Sequence, residues 1–169
     1  MGDEVLEQYR RAAAERTGLT FPRFADEAVN SAPILAVLQN PGNSGAEVSG
    51  VCSLDNADPT ARRTARIIAS LGLNRDQIIF WNFYGAYEAT KPDRSLWATE
   101  LEHLISLLPN LRAVIAFGDQ AWRGMRDVQI PRHTLLVGAP HPSNRSCNSN
   151  PDAEDLIVRA WRRAKAILD

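Results

Sequence analysis

Four short runs of the chain are apolar almost without interruption: ILAVLQ (34–39), IIFWN (78–82), RAVIAF (112–117) and TLLVG (134–138). Strands that bury one face alternate apolar and polar residues. Strands covered on both faces, as in a parallel sheet, do not. The stretches between these runs have apolar residues at helical spacing. In DPTARRTARIIASLG, Asp58 is placed to cap, Pro59 to occupy the first turn and Gly72 to stop a helix. SLWATELEHLISLLP carries Leu96, Leu101, Leu104, Ile105 and Leu108 as one expected face. DQAWRGM is a shorter helix. The last helix is expected from Asn150-Pro151 onward, with Leu156, Ile157, Ala160, Trp161, Ala164 and Ile167 as its apolar stripe.

Strand and helix in alternation imply right-handed crossovers and a three-layer α/β/α fold around a central, mainly parallel four-stranded sheet. The length of 169 residues suits a single domain, 1–169, in which 1–32 form an N-terminal helical extension. In such folds ligands bind outside the carboxyl ends of the strands. The segments there read NPGNSG, NFYGAY, GDQ and APHPSNRS, and three of the four are rich in polar side chains and turn formers.

Composition narrows the choices. No run reaches the roughly 18–20 apolar residues of a membrane span. The opening MGDEVLEQYRRAAAERTG is charged and helix-like rather than a signal peptide, so the expected location is the cytoplasm and no membrane partner is expected. Cys52 and Cys147 are the only cysteines; with no CxxC pair, a thiolate zinc site or four-cysteine cluster lacks ligands, and no metal is expected. The net charge of −1 is not that of a strongly basic polyanion binder, although one face can be basic while the whole is neutral.

The common phosphate-cradling loops, GxxxxGKS/T and GxGxxG after the first strand, are absent, as is a GxSxG elbow. Chemistry here must rest on an asparagine, a histidine and backbone groups. Taken singly, Asn40-Pro41-Gly42 is a turn in which Gly42 permits positive φ, Asn82 a cap ending a strand, and His141 a surface loop residue. Taken together, three side chains that exchange hydrogen bonds without fixed charge converge on one edge of one sheet.

These segments resemble the uracil-DNA glycosylase superfamily. QNPGNSG is similar to the N-P-G form of its water-positioning loop, found in the mismatch-specific and single-strand-selective branches. FWNFYGAY is similar to the base-reading strand, and HPSNRSCNSNP to the H-P-S loop after the last strand. The resemblance covers roughly residues 33 to 168 and implies a DNA partner, a monomer and no cofactor. It implies that Asn40 orients the attacking water and that His141 hydrogen-bonds the anionic base as it leaves. Asn82 would read the base edge, and Gln39, Pro41 and Gly42 would frame the base. Ser143, Asn144, Arg145 and Ser146 would enter the gap in the stack or hold phosphate. Arg62, Arg63 and Arg66 would add positive charge on the same side.

Two departures from the family pattern matter. Gly42 stands where uracil-selective members place a tyrosine that blocks carbon five of the base. Ser53, thirteen residues after Asn40, stands where they place a stacking phenylalanine. The expected substitutes for that ring are Phe83, Tyr84 or Tyr87. Both departures enlarge the pocket, so the expected substrate is uracil or a bulkier modified pyrimidine in DNA. Two other functions are open at this level: a non-cleaving reader of flipped or damaged bases on the same fold, and a flavodoxin-like domain that binds a small metabolite.

Overall fold

The computed structural model describes residues 2–87 and 93–169. Its central sheet has four strands: β2 (Ile34–Leu38), β4 (Ile78–Asn82), β5 (Ala113–Phe117) and β6 (Leu135–Ala139). Their order is β4-β2-β5-β6 and every pairing is parallel. The four apolar runs are therefore the four strands, to within one residue at each end. Two dipeptide strands, β1 (Arg23–Phe24) and β3 (Val51–Cys52), form a separate small parallel pair; runs this short carry no readable period.

Period two along the strands sorts their side chains between two layers. Leu35, Val37, Ile79, Trp81, Val114 and Ala116 face one core, with α1 (Glu4–Thr17) and α4 (Arg94–Ser106). Ile34, Ala36, Ile78, Ala113, Ile115 and Val137 face the other, with α3 (Pro59–Ser70) and α7 (Ala153–Ala166). The protein is thus a three-layer α/β/α sandwich. The remaining helices are α2 (Ala46–Ser49), α5 (Asp119–Met125) and α6 (Asn144–Ser149).

Helix α3 follows its sequence signals. Asp58 Oδ1 accepts from the Ala61 N–H at 2.9 Å, Pro59 opens the first turn, and Gly72 beyond the end has φ 68°. Two expected stripe positions are corrected. Leu96 and Leu156 are each 40% exposed. The buried faces begin instead at Trp97 (then Leu101, Leu104, Ile105, Leu108) and at Ala153 (then Ile157, Ala160, Trp161, Ala164), both spaced i, i+4, i+7, i+8, i+11. Leu96 and Leu156 lie about 100° off these stripes at 3.6 residues per turn.

The N-terminal segment packs into the sandwich. Phe24 stacks on Trp81 at 4.0 Å between ring centroids, and the Tyr9 hydroxyl donates to the Glu100 carbonyl. Arg16 donates through Nε and Nη2 to the buried Glu100 carboxylate at 2.9 and 2.8 Å.

Candidate functional site

The residues that continue the strands on the α3–α7 side share one parity: Ala36, Leu38, Asn40; Ile78, Phe80, Asn82; and Val137, Ala139, His141. Beyond the carboxyl ends of β2, β4 and β6 these positions line one cavity of about 390 Å³. Asn40, Pro41, Gly42, Ser53, Asn82, His141, Ser143, Asn144 and Arg145 all reach it. The cap and first two turns of α3 contribute Asp58, Thr60 and Thr64 to its lining.

His141 is held by its own loop. Its Nδ1 accepts from the Ser143 N–H at 3.2 Å, which fixes the tautomer and leaves Nε2–H as the ring's donor. Burial holds its pKa below the ordinary value, and the Asp58 charge pulls in the opposite direction without winning. The ring is therefore neutral at pH 7, a donor that carries no charge of its own. Gly118, after β5, makes room for it: a Cβ there would stand 3.3 Å from His141 Cβ, and φ of 87° suits only glycine.

Asn82 is 6% exposed, and its Nδ2 donates to Cys52 Sγ at 3.4 Å. Burial pushes the Cys52 thiol up to about 12, so it stays protonated. A thiol is a weak acceptor, so a carbonyl oxygen on a bound base can displace it. Asn40 is exposed; its Nδ2 donates to the Pro41 carbonyl at 3.2 Å, which leaves the amide oxygen as an acceptor for water. Gly42 does not adopt positive φ, contrary to the turn expected there, and a Cβ on it would meet nothing within 4 Å. The wall that a side chain would supply at Gly42 is open.

Several expected residues lie elsewhere. Phe83 is 1% exposed and its ring packs on Gly124, in the core on the other side of the sheet; period two turns it away from the side Asn82 faces. Tyr84 stands edge-on to it there, with 4.8 Å between centroids, and the Tyr87 hydroxyl donates to the Ala46 carbonyl. The aromatic residues that do border the cavity are Phe80 and Trp81; Trp81 packs into the other core, and Phe80, two residues before Asn82, shares its strand face. That signal was present in the alternation. Gln39 and Ser146 line a neighbouring groove instead.

The H-P-S segment is more than a loop: Ser143 caps α6, its Oγ accepting from the Ser146 N–H at 3.2 Å. Asn144 begins that helix, and its Oδ1 accepts from Arg63 Nη2 at 3.1 Å. Arg63 Nη1 donates to the Pro142 carbonyl at 2.7 Å, and Arg63 and Arg66 both pair with Glu154. These two arginines therefore brace α6 and α7; the one carboxylate of Glu154 offsets one of their two charges, and the Arg66 side chain stays 64% exposed. Arg62 and Arg145 are exposed and form no ion pair among the described residues. No cluster of three or more His, Cys, Asp or Glu suited to a metal occurs among the described residues, and no helix there is long and apolar enough to cross a membrane.

The uracil DNA glycosylase superfamily profile matches residues 26–165. The fold is similar to that of the wild-type UNG crystal structure from Nitratifractor salsuginis, with a TM-score of 0.50 and 14% identity over 78% of this chain and 73% of that one. No curated protein matches the chain.

Proposed function

Because the chain belongs to the uracil-DNA glycosylase superfamily, we propose that it is a monofunctional DNA glycosylase. It hydrolyses the N-glycosidic bond of a flipped-out uracil or modified pyrimidine with water as nucleophile. The observation that carries this reading is the meeting of Asn40, Asn82 and His141, from three different strands, in one cavity beside Arg145.

The base enters the cavity because its glycosidic bond is out of reach inside the stack. Asn82 exchanges hydrogen bonds with its edge, and Phe80 offers it a ring face. The C1′–N bond breaks toward an oxocarbenium-like sugar and an anionic base. The His141 Nε2–H donates to the base oxygen where that charge collects. A neutral donor suits this role, because it stabilises the charge without surrendering its proton. Losing one such donor raises a barrier by about 3 kcal/mol. Water positioned by the Asn40 amide oxygen attacks C1′. An amide cannot take the proton as a carboxylate would, so the attacking water's proton passes to solvent or to the departing base anion, and turnover is slow. The open side at Gly42 leaves space around carbon five for a substituent.

A cleavage panel tests the reading. Oligonucleotides, single- and double-stranded, carry uracil, thymine opposite guanine, 5-hydroxymethyluracil, hypoxanthine or a bulky modified cytosine, and alkali reveals abasic sites. Breakage on at least one pyrimidine, reduced on the order of 100-fold in His141→Leu, is expected. DNA binding without breakage on any substrate would instead favour a non-cleaving reader, and neither binding nor breakage would sink the nucleic-acid reading.

A further inference from the structure

Beside the base cavity lies a groove of about 910 Å³ that shares His141, Ser143 and Arg145 with it. The groove opens past the carboxyl ends of β2, β5 and β6. From β2 the chain winds to β4 on one side, and from β5 to β6 on the other, so the groove sits at the switch point where open α/β sheets hold ligands. Its floor carries Trp122. This indole is 37% exposed, whereas Trp81, Trp97 and Trp161 are at most 2% exposed. Its six-membered ring lies against Gly138 of β6: a Cβ there would stand 2.9 Å from Cε3. Backbone without a side chain supports the ring, and Trp122 borders the groove with part of its surface exposed. Gln39, Gln120 and Asn150 supply hydrogen-bonding groups around it.

We propose that this groove is a second nucleotide subsite, in which the base adjoining the flipped one on the same strand stacks on Trp122. The proposal rests on the glycosylase reading above. One phosphodiester joins the two nucleotides, and the wall between cavity and groove carries Arg145, an exposed cation suited to that phosphate. Asp119 is the groove's one carboxylate and repels phosphate, which keeps the backbone on the Arg145 side. Stacking on an aromatic ring tolerates any base, so the subsite selects for the presence of a neighbouring base rather than its identity. A base must be unpaired to stack this way. The substrate class is therefore single-stranded DNA, or DNA frayed around the target.

Trp81 borders the base cavity and Trp97 and Trp161 are buried, so the part of the fluorescence change that is lost in Trp122→Phe reports on Trp122. Wild type, Trp122→Phe and Trp122→Ala are titrated with single-stranded oligonucleotides that carry the cleaved base, with either neighbouring nucleotide intact or replaced by an abasic analogue. Quenching is expected in wild type and should be smaller in Trp122→Phe, whose ring retains affinity within about threefold. Trp122→Ala should bind about tenfold more weakly. Removing the neighbouring base should weaken wild type by the same factor and leave Trp122→Ala unaffected. Trp122→Phe keeps the test valid if Trp122→Ala proves unstable. Equal affinity of wild type and Trp122→Ala on a substrate that is bound and cleaved, with quenching no smaller in Trp122→Phe, overturns the subsite and leaves the glycosylase standing. A dimer that Trp122→Ala dissolves would assign the ring to self-association and overturn it too. Failure of wild type to bind or cleave any DNA overturns both readings.

Discussion

In the proposed mechanism His141 acts only while neutral, and its surroundings set the pH range over which it is. Burial depresses its pKa below 6.5, and the Asp58 carboxylate partly offsets the depression. Activity should therefore hold at pH 7 and fall on the acid side as pH drops through the depressed value. Asp58→Asn removes the offsetting charge, and asparagine caps a helix as well as aspartate does, so α3 is retained. The pKa of His141 should drop further, and the acid limb of the kcat/KM profile should move to lower pH. A limb that stays in place or moves up would show that another group controls it. The ring opposite the base is a second matter of single residues. Phe80→Leu keeps the volume and removes the aromatic face, so KM should rise about tenfold, within the worth of one base–aromatic stack. Phe83→Leu, on the other side of the sheet, should leave KM unchanged. The reverse ranking would return the stacking role to Phe83.

At the scale of elements, the H-P-S segment depends on α3 and α7 as much as on its own prolines. Arg63 holds the Pro142 carbonyl and the Asn144 side chain from α3, and Glu154 of α7 holds Arg63. Arg63→Ala should lower single-turnover cleavage about tenfold at saturating DNA, because His141 adjoins Pro142 and a donor displaced by about 1 Å loses much of its effect. Arg63→Lys keeps a charge but not the fork, and should recover only part of the rate. A loss fully explained by unfolding in a thermal melt would reduce Arg63 to a structural prop. This brace was not legible in the sequence, where Arg63 and Arg66 read as cations facing DNA; their partner Glu154 lies about 90 residues further along. The strands were legible because near-continuous apolar runs have few other uses, and the cap at Asp58 because its signals are local. The convergence of Asn40, Asn82 and His141 followed from their places just after strands. Phe80 was also within reach, since alternation puts it on the same face as Asn82, whereas the expected Phe83, Tyr84 and Tyr87 follow the strand. Helix α6 has no apolar period and was hidden in a stretch that reads as turn. Asp58, Thr60 and Thr64 enter the site through the packing of α3 over the sheet, which no local pattern encodes.

For the whole molecule the question is how a chain of net charge −1 holds a polyanion. Among the described residues of α3 and α6, the exposed cations without an ion pair are Arg62 and Arg145, and Arg63 and Arg66 share the one carboxylate of Glu154. Two phosphate contacts on single-stranded DNA give a slope of log K against log salt of roughly −1.4. Affinity should then fall only about sevenfold between 50 and 200 mM salt, against roughly three-hundredfold for a protein that makes six such contacts. Arg145→Gln should flatten the slope by about 0.7 without changing which base is cut. Fluorescence anisotropy across a salt series measures both. A wild-type slope of about −5 or steeper would mean that the backbone follows a longer basic track than these two arginines provide. A shallow slope would mean that most of the binding energy comes from the bases themselves, in the cavity and on exposed aromatic surface. A glycosylase with that slope would search long DNA poorly, because sliding relies on the phosphate term, and would depend on bases already out of the duplex.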